Sequence, residues 1–419
     1  MTQTLPTAAV LGARAFAALA GLNRFSDEPG KLTRLYLSPA HRQAAEWTRG
    51  AMEVAGLSAH IDAAGSVQGR REGAKPGAPS VMIGSHIDTV KDGGRFDGNL
   101  GVVAGILVAQ ALRDAGIVLP FPLEVVAFGD EENVRFPTSL STSRALAGEY
   151  RQEWLDGRDT DGITLRDALL GFGCDPLGIP ALARPPASVA AYLELHIEQG
   201  PVLEAEDEPV GIVTAINAQK RARVRVTGEA GHAGTVPMRL RRDALAAAAE
   251  MALALEEIAS AHDQAVGTVG VFRPDPGATN VVPGAVDFTI DFRCPRNDTL
   301  ASMDRAIATR FAEIAERRGV SLAISPYSHD DATPMAEPLQ EALAAGIART
   351  GANLKARRLP SGAGHDAMAM ARLCPAAMLF VRNEKGISHS PLEAMTEADA
   401  GIAIRVMLET VLELARRAA

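Results

Sequence analysis

The apolar run Val81-Met82-Ile83 is short, uninterrupted and closed by Gly84-Ser85-His86-Ile87-Asp88-Thr89. A run of this kind reads as a strand buried on both faces, as in a sheet covered by helices. Asn99 then introduces a helix over 101–109 that is apolar nearly all round and ends at Gly116. The stretches 123–128 and 190–197 read as further strands, the first stopping at Gly129. Strands alternating with helices in this way make an α/β fold, where functional groups collect at the carboxyl ends of strands. His86, the acidic group Asp130 to Glu132, and His196 all stand at such ends.

Between about 218 and 327 the pattern changes. Ala222, Val224 and Val226 alternate with Arg221, Arg223 and Arg225, which describes a strand with one solvated face. An alanine-rich helix over 242–261 follows, then strands at 266–272 and 286–293, a helix over 300–318 and a strand at 320–324. The order β-α-β-β-α-β is that of the ferredoxin-like split unit, and an inserted domain is the economical interpretation. The α/β pattern then resumes with a helix at 339–350, a strand at 354–359, a helix at 365–372, a strand at 376–381 and a final helix at 397–417. With 419 residues the chain is too long for one simple core. We therefore expect a catalytic domain in two pieces, 1–217 and 328–419, flanking an insert at 218–327.

Composition narrows the partners. A net charge of −9, from 42 basic and 51 acidic residues, argues against nucleic acid as the main partner. No apolar run approaches the ~20 residues needed to cross a bilayer, so no membrane partner is expected. The apolar N-terminal segment lacks a basic start and is interrupted by Arg14, which favours a first helix packed on the core over a signal peptide. Cys174, Cys294 and Cys374 are scattered and show no C-x-x-C spacing, which fits a reducing compartment, with the cytoplasm as the default.

His86 and Asp97 stand eleven residues apart across the glycine-rich turn Gly93-Gly94-Arg95-Phe96-Asp97-Gly98. An imidazole and a carboxylate at the mouth of a buried strand suit a divalent cation such as zinc or manganese, whereas a capped strand end with ordinary turn chemistry is the plainer reading. Asp88 is placed to accept the second ring N–H of His86 and fix its tautomer. Gly129-Asp130-Glu131-Glu132-Asn133 puts three carboxylates at one strand end, where like charges repel unless a cation compensates them. A solvated acidic turn is the alternative. His196, at another strand end, and His389, in a polar loop just past an apolar strand, read as structural histidines first and ligands second when each is taken alone. Together, His86, Asp97, Glu132, His196 and His389 suffice for two divalent ions sharing Asp97. Such pairs sit ~3.5–4 Å apart and clamp a nucleophilic hydroxide between them, leaving Glu131 free as a general base.

These motifs resemble those of the amidohydrolases that split N-carbamoyl-L-amino acids, β-ureidopropionate and allantoate. That group is a branch of the dinuclear aminoacylase and carboxypeptidase superfamily, and the resemblance runs over nearly the whole chain. It implies that His86 and His196 bind one ion, that Glu132 and His389 bind the other, and that Asp97 bridges both. Glu131 becomes the catalytic base, and Gln199 of His196-Ile197-Glu198-Gln199-Gly200 becomes a substrate contact. His232 of Gly231-His232-Ala233-Gly234-Thr235 corresponds to a histidine that reaches the neighbouring subunit's site and polarises the scissile carbonyl. Asn280 and Arg293 match residues that hold the substrate's carboxylate, an assignment that suits an amide donor and a planar guanidinium. A surface cation on the polar strand face is the plain alternative for Arg293. Gly364 of Gly362-Ala363-Gly364-His365-Asp366 would let backbone approach a ligand, with His365 equally readable as a helix start.

One departure stands out. Family members usually carry glycine after the glutamate pair, where this chain has Asn133, and the loop 137–144 follows. The resemblance thus implies a mixed-sheet metallohydrolase domain with an inserted lid and dimerisation domain, a homodimer, and closure of the insert over a bound ureido acid. The reaction implied is hydrolysis of an N-carbamoyl amide using two divalent ions, zinc first, with manganese, cobalt or nickel also compatible with nitrogen and oxygen ligands. An N-acyl amino acid deacylase or di- or tripeptidase using the same ions is the second reading, and a binding protein with a decayed site a third.

Overall fold

The computed structural model describes residues 4–351 and 354–418. Contacts divide the chain into two compact units. The first comprises Met1–Thr214, Met335–Leu359 and Gly364–Ala419, the second Ala215–Pro334 and Pro360–Ala363. The second unit therefore extends beyond the 218–327 limits read from the change of pattern, and it takes in a short later segment as well.

Along the chain the first strands are β1 (Ser58–Ile61), β2 (Val67–Arg71), β3 (Ser80–His86), β4 (Leu123–Phe128), β5 (Val189–Ile197) and β6 (Val210–Ile216). Then come β7 (Ala218–Thr227), β8 (Gly231–His232), β9 (Val266–Asp275), β10 (Val281–Val282), β11 (Ala285–Cys294) and β12 (Ser321–Asp330). The last are β13 (Thr333–Pro334), β14 (Arg358–Ser361) and β15 (Ala376–Val381).

In the first unit the sheet runs β1-β2-β4-β3-β5-β15-β6. The central neighbours β4, β3, β5 and β15 are parallel, while β1 with β2, β2 with β4, and β15 with β6 pair antiparallel, so the sheet is mixed. Every residue of β3, β4 and β15 is buried, and Glu124, the one acid within β4, is paired there with Arg70 and Arg184. Ile83, Val125 and Leu193 are fully enclosed, and each such side chain contributes roughly 1.5–3 kcal/mol. The helix Asn99–Asp114 is buried around most of its circumference. Four parallel neighbours place their carboxyl ends along one edge of the sheet, and His86, the acidic turn after Phe128, and His196 emerge there. Residues 354–357 are not strand, contrary to the expectation for 354–359. Lys355 and Arg357 turn outward there onto Glu208 and Glu206, at 3.1 and 2.6 Å.

The second unit has the order β12-β7-β11-β9 with every pair antiparallel, and its helices Ala244–Ser260 and Asn297–Arg318 follow β7 and β11. This is the split β-α-β-β-α-β arrangement. Val224, Val226, Phe288, Ile290 and Phe292 pack against Met251, Leu255, Met303 and Phe311, while the intervening arginines face outward. The two-residue ribbon of β8 with β10 is too short for any periodicity to announce. Among the described residues no helix is long and apolar enough to cross a membrane.

Candidate metal centre

His86 is the last residue of β3, and its Nδ1 lies 3.0 Å from the Asp88 carbonyl oxygen. His196, next to last in β5, has its Nδ1 2.9 Å from the Ile197 carbonyl. A carbonyl only accepts, so each Nδ1 carries the proton and each Nε2 presents a lone pair. Both Nε2 atoms are buried and meet no hydrogen-bond partner among the described residues. They converge on Oδ1 of Asp97, at 3.4 and 3.1 Å. The other oxygen, Oδ2, lies 3.6 Å from His389 Nε2, which is in turn 3.3 Å from Glu132 Oε2. One carboxylate is thus shared by two groups of ligand atoms, His86–Asp97–His196 and Asp97–Glu132–His389. Paired buried lone pairs facing carboxylates fit divalent cations, and a set of imidazole and carboxylate without sulfur suits borderline-hard ones.

The electrostatics point the same way. Burial opposes charge on His86, yet the carboxylates of Glu131, Asp88 and Asp97 raise its imidazole well above the ordinary value. Burial pushes Glu131 and Glu132 well above the usual carboxylate range. Repulsion adds to this, from Glu132, Asp366 and Asp88 at Glu131, and from Asp97 and Asp88 at Glu132. Asp97 goes the other way, since His196 and His86 outweigh its burial and hold it well below that range. Glu131 Oε2 stands 3.9 Å from His86 Nε2 and belongs to neither ligand group.

Asp88 corrects one expectation. Its backbone carbonyl, not its carboxylate, meets His86 Nδ1, and the nearest carboxylate oxygen is 3.6 Å away, too far for a hydrogen bond. The carboxylate instead accepts from the amides of Glu131 and Glu132 at 3.3 and 3.2 Å, tying the acidic turn to the His86 turn. Gly98 is needed twice over. Its φ is +63°, and a Cβ there would come within 2.4 Å of the His86 ring. Asn133 has φ 54°, in the left-handed region that glycine or asparagine adopts most readily, so it suits the tight acidic turn.

The remaining expected residues fall into both units. Gln199, read as a substrate contact, donates from Nε2 to Asp97 Oδ2 at 2.7 Å and so lies against the shared carboxylate. Gly364 is exposed beside His365, whose buried ring sits 4.4 Å from that of His196. In the second unit, His232 in β8 pairs with Val281, and Ala233 donates to the Asn280 carbonyl at 2.9 Å, which keeps His232 and Asn280 adjacent. The amide of Gly234 donates to His232 Nδ1 at 3.1 Å, leaving Nε2 to carry the proton on an exposed ring. Arg293 forks onto Asp291 at 2.9 and 2.7 Å and donates to the Gly362 carbonyl at 2.6 Å. Arg221 also reaches Asp291, at 2.8 Å, and both arginines line an open cavity of about 580 Å³.

Sequence reasoning missed two residues around the ligands. Glu393 accepts from the amides of Phe96 and Asp97, and Arg34 is a fully buried guanidinium bonded to the Ile87 carbonyl and the Asn99 side chain. Glu393 had a signal of sorts, an acid four residues beyond His389; Arg34 had none.

A profile described as Peptidase family M20/M25/M40 matches residues 82–413. The chain is 41% identical over 408 residues to an N-carbamoyl-L-amino acid amidohydrolase of Geobacillus stearothermophilus, covering 97% of this chain and 99% of that one. It is 38% identical over 431 residues to an allantoate deiminase of Arabidopsis thaliana, covering 96% and 82% respectively. Among solved structures, an amidase of the hydantoinase/carbamoylase family from Burkholderia multivorans superposes with a TM-score of 0.90 at 34% identity, covering 96% of this chain and 98% of that one.

Proposed function

The chain belongs to peptidase family M20/M25/M40, and from that premise we propose that it hydrolyses the ureido amide of a carboxylate-bearing substrate, an N-carbamoyl-L-amino acid or allantoate. The observation that carries this reading is the pair of buried imidazole nitrogens, without a hydrogen-bond partner among the described residues, aimed at a carboxylate shared with a second histidine–glutamate group. His86 and His196 would hold one divalent ion, Glu132 and His389 a second, and Asp97 both. When bound, such ions lower the pKa of water toward about 7 and polarise a carbonyl.

The chain's own groups do the rest. Glu131, outside both ligand groups, takes a proton from the attacking water and returns it to the leaving nitrogen. His232, protonated at Nε2, donates to the carbonyl oxygen as negative charge develops there. The C–N bond breaks, and the carbamate released decays to carbon dioxide and ammonia. Arg293 and Asn280 hold the substrate's carboxylate, with Arg293 exchanging or sharing its internal partner Asp291. Because the resemblance assigns His232 to the neighbouring subunit's site, a homodimer through the second unit is part of this reading. The cytoplasm is its expected compartment, supported by three buried cysteines that are unpaired among the described residues.

The test is ammonia release from N-carbamoyl-L-amino acids and allantoate, run beside N-acetyl amino acids and dipeptides, with zinc or manganese supplied. Turnover of the ureido acids alone is the expected result. Turnover of the acyl or peptide substrates alone refutes the ureido assignment.

A further inference from the structure

We infer that Glu393 is the positioning residue that holds the Asp97 turn against the His389 turn, so that one carboxylate can serve two ligand groups. The inference rests on the metal reading above. Glu393 is only 4% exposed, and its Oε1 accepts from the backbone amides of Phe96 at 2.7 Å and Asp97 at 3.2 Å. These bonds bridge segments almost three hundred residues apart in sequence. On its own side, the Glu393 amide donates to the Ser390 carbonyl at 3.0 Å, closing a turn that begins one residue after His389. The same carboxyl group therefore anchors the backbone that presents Asp97 while sitting on the loop that presents His389.

A second observation comes from the opposite wall. A Cβ built on Gly94 would lie 2.0 Å from the carboxyl carbon of Glu393. The carboxyl group fills the space that any other residue at 94 would claim, and glycine there keeps the bond to Phe96 and Asp97 accessible. Gly94 does not adopt a positive φ, so an alanine at this position meets the carboxylate without straining its own backbone. Without Glu393, two buried amides lose their acceptor, and Asp97 is free to turn away from one of its two groups.

The experiment measures zinc affinity by chelator competition, with metal-free melting alongside, for wild type, E393A, E393Q, G94A and the double variant. Groups that orient ligands typically carry about 10–100-fold in metal affinity, and a loss of that size is expected for E393A. E393Q keeps an acceptor oxygen and is expected to recover most of that loss. If Gly94 acts through Glu393, G94A weakens zinc on its own but costs no more than about twofold further in the E393A background. Should E393A fail to fold, E393Q and G94A carry the test. Wild-type affinity in E393A or G94A overturns the inference, as does E393Q binding no better than E393A, or losses that simply multiply in the double variant. A wild-type chain that binds no divalent ion overturns the metal reading and this inference with it, whereas binding by wild type and E393A alike overturns this inference alone.

Discussion

Replacing Arg34 with methionine tests how far the site depends on a buried clamp in the fold. The guanidinium is fully enclosed and donates to the Ile87 carbonyl at 2.5 Å, the Leu22 and Phe25 carbonyls at 3.1 Å each, and Asn99 Oδ1 at 2.5 Å. Methionine has a similar reach and donates nothing, so four acceptors lose their partner at roughly 1–3 kcal/mol each. Against this, burial draws the Arg34 pKa down to about 10, with Asp88 and Asp27 opposing. Releasing that buried charge returns about 3 kcal/mol at roughly 1.4 kcal/mol per pKa unit. The net is a destabilisation on the order of 4 kcal/mol, in line with removing one partner from a buried ionic cluster. For a unit of this size that corresponds to a melting shift of about 8 °C, read by calorimetry on the metal-free protein. Because Ile87 separates His86 from Asp88, and Asn99 lies two residues past Asp97, zinc affinity should fall as well. A variant melting within about 1 °C of wild type and binding zinc equally would refute the reasoning.

Two other outcomes follow from the same geometry. Glu131→Gln keeps shape but loses the proton acceptor. Its kcat should drop about 10²–10⁴-fold while bound metal, measured by elemental analysis, stays at the wild-type level, and a parallel loss of metal would make Glu131 a ligand instead. His41 is fully buried and burial lowers its pKa from 6.5 to about 4, while its Nδ1 accepts from the Leu37 amide at 3.1 Å. The unfolded chain therefore takes up the proton first. The His41 contribution to stability is intact above pH 6.5 and falls by about 3 kcal/mol as pH drops toward 4. Glu131 and Glu132 titrate over the same range in both proteins, so the difference in urea midpoint between metal-free wild type and His41→Asn should carry this slope; parallel profiles would count against the assignment.

What could be read from sequence depended on whether the signal was local. Strands β4 and β15 are runs apolar but for Glu124, bounded by Gly129 and Pro375, and both ends were legible to the residue. The split unit was legible too, because alternating Ala222, Val224 and Val226 can face a core in only one way. The candidate ligand residues stood out as polar groups at or near strand ends, although the roles proposed for them needed a motif. The clamps were hidden. Arg34 lies among Leu32, Thr33, Leu35 and Tyr36, and no pattern in that stretch announces partners at Ile87 and Asn99. Asp88 shows a subtler failure. A carboxylate two residues past a histidine suggested a side-chain bond, but the turn brings its carbonyl to the ring and frees the carboxylate for the next loop.

That exchange explains how the acidic turn tolerates its own charge. Asp88, Asp97, Glu131, Glu132 and Asp366 act on one another in an environment that raises the pKa of most of them. A fold that gathers carboxylates this way gives up stability in the metal-free state, and any cation that binds the folded chain restores it. The arrangement holds only if the backbone after Phe128 turns tightly enough to aim Glu131 and Glu132 in different directions. Asp130 and Asn133 both adopt positive φ to do so, at 62° and 54°. Asparagine tolerates that conformation far better than a branched side chain does, so Asn133 suits the turn that carries Glu131 and Glu132. Its side-chain amide faces the Phe136 and Thr138 carbonyls, to which it can donate, tying the acidic turn to the chain that follows.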